Sequence, residues 1–318
     1  MKILANDGIS SSGAKKITEY GYELILDTIP QEDLITYINE NNVSAILVRS
    51  ATKVRKDIID SCPSLKFIGR GGVGMDNIDV EYGRSKGITV NNTPAASSQS
   101  VAELVLAQML SSSRFTHWSN QEMPEKGASE FKVLKKKYAK GVELRGKTLG
   151  IIGFGRIGRS LAKYALGCGM NILAHDKDDI PETLPVEFGN GQSIDIKIEA
   201  GSFDDVITKS DYISIHIPKQ SDGAAVIGEH EINKMKDGVR LFNAARGGVI
   251  DEDALLKGLD SNKIAFCMLD VFENEPNPRK DLLNNPRIIT TPHIGAATLE
   301  AQDRIGIEMA DLLHDTLG

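Results

Sequence analysis

Residues 148–177 read TLGIIGFGRIGRSLAKYALGCGMNILAHDK, and this stretch decides the fold. Thr148 to Ile152 is a short apolar run without helical period, as expected of a strand buried on both faces. Gly153-Phe154-Gly155-Arg156-Ile157-Gly158 follows at once, and Ile157, Leu161, Ala162 and Ala165 then recur at helical spacing. Asn171 to Ala174 reads as a second strand with Asp176 at its carboxyl end, and the whole is a dinucleotide-binding βαβ unit. Gly153 allows the tight turn, Gly155 lets a pyrophosphate approach the backbone, and Gly158 lets the helix pack on the strand. Amides at the helix start, where the dipole is positive, face the anion, and Arg156 and Ile157 lie beside it. Asp176 would accept hydrogen bonds from the adenosine ribose and repel a 2′-phosphate, so the expected cofactor is NAD rather than NADP, a preference that neighbouring Lys177 weakens slightly.

Working outward, strands and helices keep alternating from 147 to 290, with strands at Tyr212 to Ile217, Arg240 to Asn243, Ile264 to Asp270 and Ile288 to Thr290. This predicts a doubly wound parallel sheet. Upstream, Lys2 to Asn6, Tyr22 to Leu26, Ala45 to Val48, Lys66 to Ile68 and Thr89 to Val90 are strand-like runs separated by helical periods, which predicts a second, smaller parallel sheet. A strong helix from Ser97 leads into the larger domain, and an amphipathic helix from Thr298 to Leu317 returns to the smaller one. The expected fold class is therefore α/β with two Rossmann-like domains: a flavodoxin-like domain of residues 1–97 and 296–318, and a dinucleotide-binding domain of residues 98–295 inserted in it. Between His117 and Arg145 lies a polar, lysine-rich passage to which no element is assigned. The stretch from Pro181 to Ala200, broken by Pro185, Gly189 and Gly191, is expected to be loop or short strands.

The composition excludes several classes. With 41% hydrophobic and 25% charged residues over 318 positions, the chain can bury sizeable cores. A net charge of −7 argues against nucleic acid or an anionic membrane as partner. No apolar run approaches the roughly 18 residues needed to span a bilayer, and the start reads as a strand rather than a signal peptide, so the expected location is cytoplasmic. Cys62, Cys168 and Cys267 show no CxxC spacing and no Cys/His cluster, so neither a disulfide framework nor a metal site is expected.

In such sheets ligands bind beyond the carboxyl ends of the strands. Four places there carry polar chemistry: Arg246 in FNAARGGVID, Asp270 and Glu275 in LDVFENEP, His293 in TTPHIGAAT, and the glycine turn at 71 to 74. Arg246 offers a planar fork for a carboxylate, His293 an imidazole that exchanges a proton near neutrality, and Glu275 a carboxylate that holds the imidazole in one tautomer. Taken singly, each is more often a surface or structural residue. Together they suit hydride transfer between NAD and a secondary alcohol beside a carboxylate, and the amides of Gly72, Val73 and Gly74 could add an anion-binding nest.

The segments VRSATKV, GRGGVGMDNID, NNTPAASSQSVAEL, GIIGFGRIG, NAARGG, LDVFENEP and TPHIGAAT stand in the order and approximate spacing of the D-2-hydroxyacid dehydrogenases, which the chain resembles over nearly its whole length. Within that family the likeness is greatest to the branch that oxidises 3-phosphoglycerate to 3-phosphohydroxypyruvate in serine biosynthesis. The resemblance implies a catalytic set of Arg246, Glu275 and His293. It implies cofactor contacts at Val73, Arg156, Ile157, Asp176, His216, Pro218, Ala244, Asp270 and Gly295, and a substrate side lined by Arg49, Ser50 and Gly72 to Gly74 together with Arg246 and His293. It also implies a homodimer. The chain ends soon after His293, so feedback control through a further regulatory domain is not expected. One of Lys132, Lys135, Lys136, Lys137 and Lys140 is a candidate for the substrate phosphate, against the plainer reading of a solvated basic helix face. The alternatives are a glyoxylate or hydroxypyruvate reductase, a D-lactate dehydrogenase and, more distantly, a non-catalytic NAD-sensing protein.

Overall fold

The computed structural model describes all 318 residues. Two compact units divide the chain at Ser100/Val101, slightly later than the 97/98 expected, and at Gly295/Ala296.

The first unit (Met1–Ser100 and Ala296–Gly318) begins with β1 (Lys2–Ala5), α1 (Ser11–Glu19), β2 (Glu23–Ile25), α2 (Leu34–Asn41) and β3 (Val43–Val48). It continues through α3 (Lys56–Ser61), β4 (Phe67–Arg70), α4 (Val80–Ser85) and β5 (Thr89–Asn92). Its five strands are parallel in the order β2-β1-β3-β4-β5, the flavodoxin-like winding. Alternate residues of each strand enter different cores: Leu4, Ile46 and Ile68 pack on one face, Ile3, Ala45 and Phe67 on the other. Burial on both faces is why these strands read as continuous apolar runs.

Two helices follow, α5 (Ser98–Arg114) and α6 (Thr116–Lys137), then β6 (Thr148–Ile152), α7 (Arg156–Gly167) and β7 (Asn171–His175). A hairpin of β8 (Thr183–Glu187) and β9 (Ser193–Lys197) precedes β10 (Glu199–Ala200), α8 (Phe203–Lys209), β11 (Tyr212–Ile215) and α9 (Glu229–Lys234). The second unit closes with β12 (Val239–Asn243), α10 (Glu252–Asp260), β13 (Ile264–Leu269), α11 (Lys280–Leu283) and β14 (Ile288–Thr290). Its seven strands are parallel in the order β10-β7-β6-β11-β12-β13-β14. The winding reverses between β6 and β11, which makes that pair the switch point where such sheets bind dinucleotides.

The last helix, α12 (Leu299–Leu317), belongs to the first unit and is seated on α1 by two glycines. A Cβ on Gly13 would lie 2.6 Å from the Gly306 Cα, so any side chain there forces the helices apart. Around this crossing Lys16 and Tyr20 both donate to Asp311, and the Tyr20 ring stacks on His314 at 4.0 Å.

The lysine-rich passage, unassigned from the sequence as a whole, is a helix through Lys137. Pro124 and Gly127 lie within α6, Glu130 leaves helical geometry, and Phe131 and Val133 are exposed, so no apolar stripe marks it in the sequence. Glu122 ties its two halves together by accepting from Lys126, Lys137 and the Tyr138 hydroxyl. These bonds, the one from Lys137 largest, hold the Glu122 carboxyl down at about 2, below its usual 4.5. A carboxylate lowered in this way stabilises the fold at pH above its unfolded value and loses that contribution as the pH falls toward about 2. Protection of the amides of residues 131–138, referred to the intrinsic exchange rate at each pH, should therefore fall on acidification between those values in the native chain and show no such step in Glu122→Gln; equal behaviour of the two would contradict it.

Candidate active site

Local sterics set the three glycines of the turn after β6. Gly153 takes φ +95°, and a Cβ on it would lie 2.6 Å from the His216 carbonyl oxygen at the end of β11, across the switch point. A Cβ on Gly158 would lie 2.3 Å from the Gly153 carbonyl oxygen, so helix α7 reaches the strand only without one. Gly155 faces open space, and no side chain caps the amides that begin α7. Two side chains hold the turn from outside: the Asp176 carboxylate accepts the Phe154 N–H at 2.6 Å, and Arg159 Nε donates to the Phe154 carbonyl at 2.9 Å. Arg156 is exposed and Ile157 half-buried at the helix start. The His216 ring pairs through Nε2 with Ser214 Oγ at 2.8 Å, while its Nδ1 is buried with no protein partner. Burial pushes the His216 pKa down to about 4, so the ring is neutral at neutral pH. Pro218 just beyond it is exposed.

Arg246, Glu275 and His293 follow β12, β13 and β14, three neighbouring strands of one parallel sheet, and so leave the same edge. Each loop is fixed by a polar side chain bonding to backbone. Buried Asn243 donates to the Arg246 carbonyl at 2.9 Å and accepts the Ala245 N–H at 3.0 Å, turning the chain so that half-buried Ala244 packs inward while Arg246 follows the bend. The Arg246 guanidinium donates to the Ala245 carbonyl at 2.6 Å. The next residue, Gly247, abuts the loop after β13 so closely that a Cβ on it would lie 1.8 Å from the Phe272 carbonyl oxygen. The Phe272 N–H donates to Glu275 Oε1 at 2.9 Å, and Glu275 Oε2 lies 2.8 Å from His293 Nδ1. A carboxylate at that distance requires the proton on Nδ1, which leaves Nε2 as the nitrogen able to take a proton from a ligand.

His293 itself sits at φ +53°, an uncommon conformation for a non-glycine residue. Buried Asp270 holds it there: one oxygen accepts the Thr291 hydroxyl (2.6 Å) and the Ile294 N–H (2.8 Å), the other the Gly295 N–H (2.8 Å). Both Asp270 oxygens thus clamp the loop between Thr291 and Gly295, a task its reading as a cofactor contact did not include. The His293 and Glu275 side chains remain 43% and 36% exposed, and a cavity of about 390 Å³ opens on both.

In the first unit, Arg49 and Ser50 are exposed beyond β3. The Arg49 backbone is pinned by its N–H to Asp7 at 2.6 Å and by its carbonyl to Asn77 at 2.8 Å, and its side chain lines a cavity of about 290 Å³ with Asp7, Ser10, Gly71 and Gln302. The expected amide nest loses one member, because the Gly72 N–H donates to Thr93 Oγ1 at 2.8 Å. Val73 is exposed, its carbonyl held by Asn92, and Gly74 is half-buried beside it. Lys137, bonded to Glu122, is committed within its own helix, while Lys132, Lys135, Lys136 and Lys140 are exposed. Burial pushes the Cys62 thiol up to about 11 and that of Cys267 higher still, so both are core residues rather than nucleophiles.

The sequence model of the D-isomer specific 2-hydroxyacid dehydrogenase NAD-binding domain matches residues 106–295. A hydroxypyruvate reductase of Thermotoga maritima is 44% identical over 93% of this chain and 91% of its own. The chain belongs to the D-2-hydroxyacid dehydrogenase family. Another relative, the D-3-phosphoglycerate dehydrogenase of Methanocaldococcus jannaschii, is 38% identical over 100% of this chain and 57% of its own. The chain spans about half the length of the phosphoglycerate dehydrogenases it matches. Among solved structures, a glyoxylate reductase from Paecilomyes thermophila superposes with a TM-score of 0.83 at 31% identity, covering 98% of this chain and 94% of that one.

The cofactor of this dehydrogenase is accordingly NAD, and the residues fit it. Gly155 leaves an open approach to the uncapped amides of α7. Asp176 keeps acceptor capacity beyond its bonds to Phe154 and Asp178, and the partnerless Nδ1 of His216 lies at the switch point. No helix is long and apolar enough to cross a membrane.

Proposed function

We propose that this dehydrogenase oxidises 3-phospho-D-glycerate to 3-phosphohydroxypyruvate. The observation that carries the chemistry is the 2.8 Å contact of Glu275 with His293 at the sheet edge that Arg246 shares. Arg246 binds the substrate carboxylate through its fork. His293 Nε2 takes the proton of the C2 hydroxyl, and Glu275 stabilises the imidazolium that results. NAD, when bound, supplies the acceptor for the hydride that leaves C2. The C2–H and O–H bonds break, the C2 carbonyl forms, and the proton rests on His293. Gly153 to Gly158, Asp176 and His216 hold the cofactor, with Pro218, Ala244 and Gly295 alongside. Arg49 is the group in the first unit suited to a phosphate, a permanent cation whose backbone is pinned on both sides.

A second reading, reduction of hydroxypyruvate or glyoxylate, is favoured by the 44% identity with the Thermotoga hydroxypyruvate reductase over almost the whole of both chains. Turnover of 3-phosphoglycerate, glycerate and lactate with NAD, and of hydroxypyruvate and glyoxylate with NADH, separates the two. The phosphate reading predicts the highest kcat/KM for 3-phosphoglycerate and a loss of about 10-fold or more in Arg49→Ala for that substrate alone. Equal or better turnover of unphosphorylated acids would replace it with the second reading.

A further inference from the structure

Glu252 opens α10 and is 6% exposed. It is not needed as a cap, because Asp251 already accepts the Ala254 N–H at 2.8 Å. A glutamate serving only the helix dipole does so from solvent, whereas this one is buried with Oε2 lacking any partner, an arrangement that costs folding free energy. Its other oxygen accepts the Glu273 N–H at 3.0 Å. That bond is made to the peptide on which the loops of the active site meet. The carbonyl of the Phe272–Glu273 peptide abuts Gly247, beside Arg246, and the preceding N–H, that of Phe272, holds Glu275. Burial, with the Glu273 charge adding to it, raises the Glu252 pKa above its usual value against the lowering effect of the backbone bond and of Arg279. The Arg279 guanidinium is itself engaged by Asp253 and Asp281.

We propose that Glu252 is a positioning residue of this dehydrogenase: by holding the Phe272–Glu273 peptide it sets where Glu275 meets His293 and where Arg246 stands. This rests on the acid–base reading of His293 given above. A displacement of the peptide by a fraction of an ångström moves two of the three groups at once, and reaction rates respond steeply to such shifts.

Glu252→Ala, Glu252→Gln and Glu252→Asp test it in the full chain with NAD and the substrate of highest turnover. Glutamine keeps an acceptor oxygen for the Glu273 N–H, so Glu252→Gln retains near-native kcat. Alanine and the shorter aspartate lose the bond, so both lower kcat by about 10-fold, shift the pH profile of kcat/KM and speed exchange of the Glu273 amide, with NAD affinity unchanged. In a His293→Ala background Glu252→Ala adds only the smaller loss that comes through Arg246. A lowered Tm with native kcat and pH profile in Glu252→Ala, or in Glu252→Asp should the alanine variant not fold, overturns the proposal. If His293→Ala alone keeps native turnover, the acid–base reading has failed instead, and the positioning claim is then decided by the Glu273 amide, whose unchanged exchange in Glu252→Ala overturns it.

Discussion

Replacing His293 with alanine is expected to lower kcat by about 10²–10⁴-fold, the usual contribution of a positioned general acid–base group, while NAD affinity stays within a factor of about two of native, a 0.4 kcal/mol margin at RT of about 0.59 kcal/mol. The split follows from where the side chain sits. His293 leaves β14 at the opposite end of the β11-β12-β13-β14 series from the switch point at β6 and β11, where the glycine turn, Asp176 and His216 are gathered. Its loop is held by Asp270 through Thr291, Ile294 and Gly295, none of which passes through the imidazole. Removing the ring therefore takes away the proposed proton acceptor and leaves the backbone where it was. His293→Ala with native kcat would remove the acid–base role, and a parallel collapse of NAD affinity would show that the ring binds cofactor instead.

Arg246→Ala is expected to cost about 10²–10³-fold in kcat/KM, the range for loss of a charged group that orients the substrate and polarises its carbonyl. Arg246→Lys keeps the charge but loses the two-point fork and should recover only part of that. The backbone at this position is set by Asn243 and by the close approach of Gly247 to Phe272, so the substitutions act on the side chain alone. Steady-state kinetics over the same substrate panel checks this, and a lysine variant indistinguishable from native would mean that charge alone, without geometry, suffices.

The central βαβ unit was legible in the sequence because each demand is local: a strand, three glycines at fixed offsets and an acidic residue about 20 positions on, each then found in a distinct steric role at Gly153, Gly155 and Gly158. Helix α6 was not assigned from the sequence, since its order comes from Glu122 bonding across its own kink and from Trp118 packing on Phe266 at 4.7 Å, neither of which leaves an apolar stripe. The hairpin of β8 and β9 is the short-strand alternative for residues 181–200, which the sequence left open against a loop because Leu184 is its one buried anchor and the rest of its strands are largely exposed. Arg246, Glu275 and His293 could be picked out as polar residues just past apolar strands. Their supports could not. Asn243, Asp270 and Glu252 bond to backbone amides and carbonyls, which every residue carries, and two of the three reach across to another strand-end loop. The same blindness explains the over-counted amide nest, where Thr93 takes the Gly72 N–H from a separate loop.

The proposed chemistry requires that Arg246 and His293 act on one substrate molecule. A double-mutant cycle on the single-turnover rate of hydride transfer, with native, Arg246→Ala, His293→Ala and the double variant each saturated with NAD, tests it most directly. Groups that work as a unit are not additive, so the double variant should be within about 10-fold of the slower single one. A double variant slowed by the full product of the two single losses would contradict convergence on a common reacting centre.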